Sequence, residues 1–187
     1  MAVLDSEGYL TLLAHINEKG ETDVNELSSS TGVAKRDLVR AVKVLKKNMA
    51  VDFYEDKIKL TELGKFALEK KDIKIVFGYA SNEKVPDYLS FKFFLGEGLF
   101  SGEVASSYHE FLEIIKRIDT RSILFHLYRG DFDRWFSDVF KDRKLAKKIV
   151  TLKDKLMPPN RVRDKLIRIL EQRISELKGA SKNEQRS

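Results

Sequence analysis

The segment that most constrains this chain is Ala34–Lys47, AKRDLVRAVKVLKK, which repeats with the period of an α-helix. Its aliphatic residues share one helix face because they recur at the i, i+3, i+4, i+7 spacing. They are Leu38, Ala41, Val42 and Leu45. A basic face lies about 180° away. It consists of Arg36, Arg40, Lys43 and Lys47. The pattern predicts a helix with a buried aliphatic face, and its basic face is typical either of a DNA contact or of a solvated surface.

Two shorter helical patterns precede this segment. The first covers Ser6–Glu18, and Lys19-Gly20 ends it. The second begins after Asp23, a residue that caps helices well, and Thr31-Gly32 ends it. A short turn that contains glycine then leads into the basic helix, which is the order of elements in a helix-turn-helix.

After Ala50 the hydrophobic period changes from that of a helix to that of a strand. Strands are predicted at Val51–Tyr54 and Lys57–Leu60, and a helix at Glu62–Lys71. With this order, the segments DVNELSSSTGVAKRDLVRAVKVLKK and LTELGKFALEK resemble the winged helix-turn-helix superfamily over residues 5–72. The resemblance implies a DNA-binding domain at residues 1–75, and a homodimer because one recognition helix gives little specificity.

The resemblance assigns DNA contacts to two sets of residues. Arg36, Arg40 and Lys43 are expected to contact base edges or phosphates. Phosphate contacts alone are expected from Lys35, Lys47, Lys57 and Lys59. On this interpretation the protein is a transcriptional regulator whose partner is double-stranded DNA.

Three features depart from the superfamily pattern and leave a second interpretation open. Ala34 stands where many relatives have a capping Ser or Thr, the hairpin is rich in Asp and Glu, and residues 1–75 hold 13 basic and 13 acidic residues. Winged helices also bind proteins, so the chain is alternatively an adaptor subunit of a nucleic-acid-processing complex. Its basic contact would then lie in residues 141–168, which hold 11 basic and 3 acidic residues. The candidates there are Lys144, Lys147 and Lys148.

The second half combines a short sheet with helices. Alternating apolar residues predict strands at residues 73–79 and 89–95, residues 96–105 are interpreted as a glycine-rich turn, and helices follow from Ser106. After Pro158-Pro159 an amphipathic helix is predicted at Arg161–Lys178, which either pairs two copies or packs on its own domain. A disordered tail is expected at residues 179–187. The expected fold is mostly α with small β (α+β), divided into residues 1–75, 76–157 and 158–187, and the second domain offers a surface for a protein partner.

The stretch His126–Phe140, HLYRGDFDRWFSDVF, is the clearest motif of the second half. Together with FKFFLGEG, EFLEIIKRI and DRKLAKKI it resembles a largely uncharacterised domain family seen mainly in archaea, over residues 88–152. The resemblance implies no activity. From the residues themselves, either His126 and Asp131 form a catalytic pair, or Asp131 caps a helix, Trp135 fills the core and His126 bonds a neighbour.

Composition excludes several classes of site. The chain has no Cys, so it has neither disulfides nor a thiol nucleophile. His15 and His109 lack paired ligand spacing, so neither a metal nor a cofactor is expected, and no complete catalytic set is visible. The start of the chain is not a signal peptide and no apolar run reaches 18 residues, which predicts a cytoplasmic protein. The charged fraction of 34% is compatible with a thermophile.

Overall fold

The computed structural model describes residues 4–153 and 157–184, and for residues 181–184 the backbone alone. The described residues are mostly helical with two small antiparallel sheets, which confirms the predicted fold class. The chain divides into two compact units, unit 1 at Met1–Gly78 and unit 2 at Tyr79–Ser187. The first boundary lies three residues beyond the one expected from the sequence.

Unit 1 contains a group of helices followed by a hairpin and a further helix. Its elements are α1 Ser6–Lys19, α2 Val24–Thr31, α3 Lys35–Lys47, β1 Val51–Tyr54, β2 Lys57–Leu60, α4 Glu62–Lys70 and α5 Lys74–Phe77. The predicted aliphatic face of α3 is buried in full. In the hairpin, Val51 pairs with Leu60 and Tyr54 with Lys57, as the alternating pattern indicates.

A backbone pairing ties the hairpin to the loop between α1 and α2. The N–H of Thr22 donates to the carbonyl of Ile58 at 3.1 Å, and the N–H of Ile58 donates back at 2.8 Å. Gly64 of α4 lies so close to the hairpin's entry that a Cβ there would be 2.1 Å from the Ala50 carbonyl oxygen. These contacts hold the hairpin against the loop between α1 and α2 and against α4.

One predicted strand of unit 1 is wrong. Residues 73–79 alternate in hydrophobicity, but Lys74–Phe77 form a single helical turn, α5. Ile75 and Val76 are neighbours in sequence and both are buried, a pattern that a half-exposed strand does not give. The turn ends at Gly78, whose φ of 93° suits glycine.

Unit 2 starts with a hairpin and continues with five helices in its described part. A short 3₁₀ turn at Asp87–Leu89 leads into the hairpin. The elements are β3 Phe91–Gly96, β4 Leu99–Ala105, α6 Tyr108–Arg117, α7 Thr120–Arg129, α8 Asp131–Val139, α9 Arg143–Lys153 and α10 Pro159–Glu184. The interpretation of residues 96–105 as a turn is wrong except at its start, because β4 pairs with β3 through Phe91↔Ala105 and Lys92↔Val104.

The core of unit 2 is aromatic and is closed by α10. Rings of Phe91, Phe93, Phe111, Phe132 and Phe136 pack at centroid distances between 4.8 and 6.1 Å. α10 packs against α6, α7 and α9, so it belongs to the same core as the helices before it. Its buried residues are Val162, Leu166, Leu170 and Ile174.

The end of the chain gives one outcome and one correction. Of the two alternatives for the last helix, the structure has α10 packed on its own unit. Residues 179–184, expected to be disordered, continue α10; the rest of the expected tail lies outside the described residues. In the part of the chain that the structure describes, no helix is long and apolar enough to cross a membrane.

Candidate functional site

The basic face of α3 is exposed to solvent along its whole length. Arg36 and Arg40 have side chains that are 76% and 59% exposed, and each lies 3.5–3.6 Å from the carboxylate of Asp37. Lys43 and Lys47 are exposed, and neither has an acidic partner within 4.0 Å among the described residues. Because exposed pairs such as Arg36–Asp37 contribute little, the arginines remain available for another anion.

The start of α3 is uncapped, as the sequence predicted. Ala34 occupies the N-cap position with φ −58° and ψ 136°, and it supplies no side-chain acceptor. By contrast, Asp23 accepts from the N–H groups of Asn25 and Glu26 at 2.7 and 3.0 Å at the start of α2. The backbone N–H groups at the start of α3 are therefore without a side-chain cap.

The other predicted phosphate contacts lie around the hairpin. Lys35, Lys57 and Lys59 are exposed. Hydrogen bonds from the N–H groups of Glu26 and Asn25, with Lys57 and Lys35 nearby, hold the pKa of Asp23 below its ordinary value.

One lysine of α3 that the sequence left without a role has a structural one. Lys46 donates from Nζ to the carbonyl of Phe53 at 2.6 Å and lies over the Phe53 ring. The period of the helix could have singled it out, because Lys46 lies off the basic face.

Two of the three lysines predicted for the second basic contact, in residues 141–168, are paired with an acid of unit 2. Lys144 and Lys148 both lie near the carboxylate of Glu176, at 2.9 and 3.6 Å. Lys153 pairs with Asp133 at 2.7 Å. Lys147 is exposed and has no acidic partner within 4.0 Å in the described part of the chain. The structure therefore brings the three predicted lysines to one helix, α9, but leaves one of them unpaired.

The motif histidine is buried and holds two elements together. His126 on α7 is 4% exposed. Its Nε2 accepts from the N–H of Phe94 at 2.8 Å, and its Nδ1 donates to Asp131 at 2.8 Å. The Phe94 N–H is free for this bond because the ladder between β3 and β4 shifts register around Phe94.

Asp131 does not cap α8, contrary to the prediction. Gly130 occupies the N-cap position with φ 77° and ends α7 as well, so Asp131 is already the first helical residue. Its carboxylate instead lies near three donors, His126, Arg129 at 3.3 Å and Arg134 at 2.6 Å. Trp135 is buried and donates from Nε1 to the Leu89 carbonyl at 2.7 Å, which agrees with a packing role.

This geometry favours a structural role for His126. Burial lowers the pKa of His126 below its ordinary value of 6.5, and the hydrogen bond to Asp131 only partly opposes this. The imidazole is therefore neutral at pH 7 and both of its nitrogens are bonded within the unit. A general base needs a free nitrogen that faces a substrate, and His126 has none in this arrangement.

A cavity of about 360 Å³ adjoins this pair. Its walls include Phe91, Phe94 and Phe125, and Arg129 lies at its edge with its guanidinium 5.0 Å from the centre of the Phe125 ring. No group of three or more His, Asp or Glu side chains within the described ranges is arranged to hold a metal ion.

One protein family accounts for much of unit 2. The profile of DUF5752, a family of unknown function, matches residues 91–187, which is half of the chain. The chain belongs to the DUF5752 family. The expectation of an uncharacterised family in the second half is confirmed, and the DUF5752 match extends beyond residue 152 to include α10.

The DUF5752 match separates the two candidate sites. The His126–Asp131 pair lies inside the matched residues, whereas the basic face of α3 lies outside them. Comparison with curated proteins and comparison with solved structures each gave no match.

Proposed function

We propose that the chain binds duplex DNA through the basic face of α3 and acts as a transcriptional regulator. The supporting observation is that four cations share one exposed helix face while the opposite face is fully buried in unit 1. A helix presented in this way has the dimensions to enter a major groove.

Within this proposal the arginines and the lysines contact different parts of the DNA. Arg36 and Arg40 carry planar guanidinium groups that can bond the acceptors of a guanine edge. Lys43 and Lys47 have point charges that suit phosphate oxygens, and Lys35, Lys57 and Lys59 add phosphate contacts near the start of α3 and on β2. Two copies are proposed to bind together, because a single helix contacts too few bases for useful specificity.

The order of elements in unit 1 also supports the proposal. Three helices are followed by a two-stranded hairpin and α4, and Thr22 adds a bridge to β2. This is the order that the resemblance to winged helices predicts. The alternative adaptor role has less support, because Lys144 and Lys148 already share Glu176.

The test is the salt dependence of duplex binding by the full chain. With about five lysine–phosphate contacts for each copy, the logarithm of the binding constant is expected to fall with the logarithm of salt concentration at a slope near −4.5 for each copy. Arg40→Ala with Lys43→Ala removes one base contact and one phosphate contact, so the slope for each copy should become shallower by about 0.9 and most affinity should be lost. Fluorescence anisotropy with a labelled duplex measures both quantities.

A matched variant removes two positive charges elsewhere in unit 1. Lys19→Ala with Lys65→Ala changes two lysines at helix positions outside α3 and lowers the net charge equally. It is expected to bind duplex DNA like the parent chain. Equal loss in both double variants means that net charge and not the α3 face governs binding, and full binding by the α3 variant contradicts the proposal.

A further inference from the structure

Unit 2 contains a second cavity, of about 520 Å³, away from the histidine motif. It is formed by the loop at residues 79–82, the junction between α8 and α9, and α10. Four cationic side chains line it, namely Lys141, Arg143, Lys144 and Arg173. Ser81, Asn82 and Tyr108 add neutral polar groups.

The cations of this cavity outnumber the carboxylates that balance them. Among the described lining residues Asp142 is the one acid, and it accepts from Tyr108 Oη and Arg173 Nε, each at 2.8 Å. Glu176 pairs with Lys144 at 2.9 Å and with Arg173 at 3.0 Å. Lys141 and Arg143 have no acidic partner within 4.0 Å in the described parts of the chain. Two positive charges therefore remain at the cavity.

Lys141 is held in a conformation that does not suit lysine. Its φ is 56°, in the left-handed region where a residue with a Cβ is less stable than glycine. It lies between the end of α8 and the start of α9, and its side chain is partly buried. Burial lowers the pKa of Lys141. The positive charge of Arg143 lowers it further, and the negative charge of Asp138 opposes both effects. A backbone conformation that glycine adopts more easily therefore carries an ammonium group to the wall of this cavity.

We propose that this cavity binds the phosphate group of a small phosphorylated molecule, with Lys141 and Arg143 as its charged contacts. The two unbalanced positive charges match a phosphate monoester, which carries about 1.5 to 2 negative charges at pH 7. Hydroxyl and amide groups of Ser81 and Asn82 supply further donors to its oxygens. The volume lies within the range of small-molecule sites, and a concave site suits a small ligand better than a rigid duplex.

The test uses the full chain with inorganic phosphate and inorganic pyrophosphate as probes. Both should raise the midpoint of thermal unfolding above that in sodium chloride of equal ionic strength, and titration calorimetry should give saturable binding. Lys141→Gly should weaken binding at least about tenfold, because a charge-assisted contact is lost. Arg143→Gln, at an exposed position, should weaken it in the same direction.

Lys141→Gly keeps the fold testable, because glycine relieves the left-handed backbone. Lys71→Gly is the matched control, since Lys71 also has a left-handed φ, 51°, after a helix, but lies in unit 1. It should leave phosphate binding unchanged. The proposal is overturned if phosphate adds nothing beyond ionic strength, or if Lys141→Gly binds as the parent does. It is equally overturned if single-stranded or duplex DNA, but neither phosphate probe, loses affinity in Lys141→Gly, which identifies a nucleic-acid contact.

Discussion

His126 shows how one side chain can fix the local geometry of unit 2. Its two ring nitrogens connect β3 to the start of α8, at the point where the ladder between β3 and β4 is irregular. Without His126 the backbone N–H of Phe94 would lose the acceptor that it has in this structure. The histidine therefore supplies an acceptor at the irregular part of the ladder and also orients the carboxylate of Asp131.

Replacing His126 by Ala is expected to destabilise the chain by about 2–4 kcal/mol. The loss combines a small buried cavity with an unpaired N–H at Phe94 and a lost donor to Asp131. Urea unfolding measures the change. His109→Ala, at an exposed position on α6, is the matched control and should change stability by less than about 0.5 kcal/mol.

The same residue gives stability a pH dependence. Burial lowers the folded-state pKa of His126 below 6.5, so the unfolded chain takes up a proton first as the pH falls. The contribution of neutral His126 is complete above pH 6.5 and decreases as the pH falls toward its lower folded value. The free energy of unfolding, measured from pH 7.5 to 5, should decrease. In His126→Ala the part of this decrease that comes from His126 should be absent. An unchanged pH profile in the variant contradicts a buried neutral histidine.

α3 is the element whose structure and sequence agree most closely. Its period, its bounds and its missing cap were all predicted, because a long amphipathic pattern determines which face is buried. The backbone of Ala34, at φ −58° and ψ 136°, nevertheless lies in the extended region from which a Ser side chain can accept an N–H bond.

Ala34→Ser is therefore expected to stabilise the chain by about 0.5–1 kcal/mol, through a bond to an N–H at the start of α3. Asp23→Ala at the equivalent position of α2 should destabilise the chain by about 1 kcal/mol, because it removes two such bonds. Urea unfolding of both variants tests the cap. A destabilised Ala34→Ser chain indicates that the start of α3 cannot accept a side chain there.

Short elements were harder to predict than long ones, for reasons visible in their residues. The four residues of α5 are too few to show a helical period, so the alternating apolar residues around them were interpreted as a strand. β4 contains Gly102 and exposes Leu99, Phe100 and Val104, so neither composition nor alternation marks it as a strand. Asp131 was misplaced by one residue because Gly130 both ends α7 and precedes α8.

The candidate sites were harder still to predict from the sequence when their residues come from distant segments. Sequence spacing predicted the basic face of α3, since all four residues lie on one helix. The cavity beside Lys141 joins residues 79–82 to residues 173 and 177, and no local pattern connects segments so far apart. The sequence likewise contains no sign that Phe94 donates to His126.

Across unit 2, the charge counted along the sequence is a poor guide to free charge. The excess of 8 positive charges in residues 141–168 is reduced by acids outside that range, Glu176 and Asp133. Hydrogen bonds from Lys144 and Arg173 lower the pKa of Glu176 to about 2. Hydrogen bonds from Lys84 and Ser106 lower the pKa of Glu110 to about 2 as well.

Because of these two glutamates, we expect the folded chain to lose stability at low pH. Their pKa falls from 4.5 to about 2 on folding, so the unfolded chain binds protons first below pH 4.5. Their contribution is complete above pH 4.5 and is lost as the pH falls toward 2. Thermal unfolding across this range should show the loss, and Glu176→Gln should reduce its steepness. Glu97→Gln, at the exposed hairpin turn, should leave it unchanged; an equal effect of both variants contradicts a specific role for Glu176.

The packing of α10 sets the timing of folding during synthesis. Unit 1 is complete once residue 78 is available, whereas the core of unit 2 still lacks Leu166, Leu170 and Ile174 until α10 has been made. At about 5–20 residues per second, the ribosome needs about 1–4 s to pass from the end of α9 at Lys153 to Ile174. During this time the apolar faces of α6, α7 and α9 that α10 later covers are exposed to water. The speed of translation, and not the stability of the finished fold, then decides how long the nascent chain is open to aggregation.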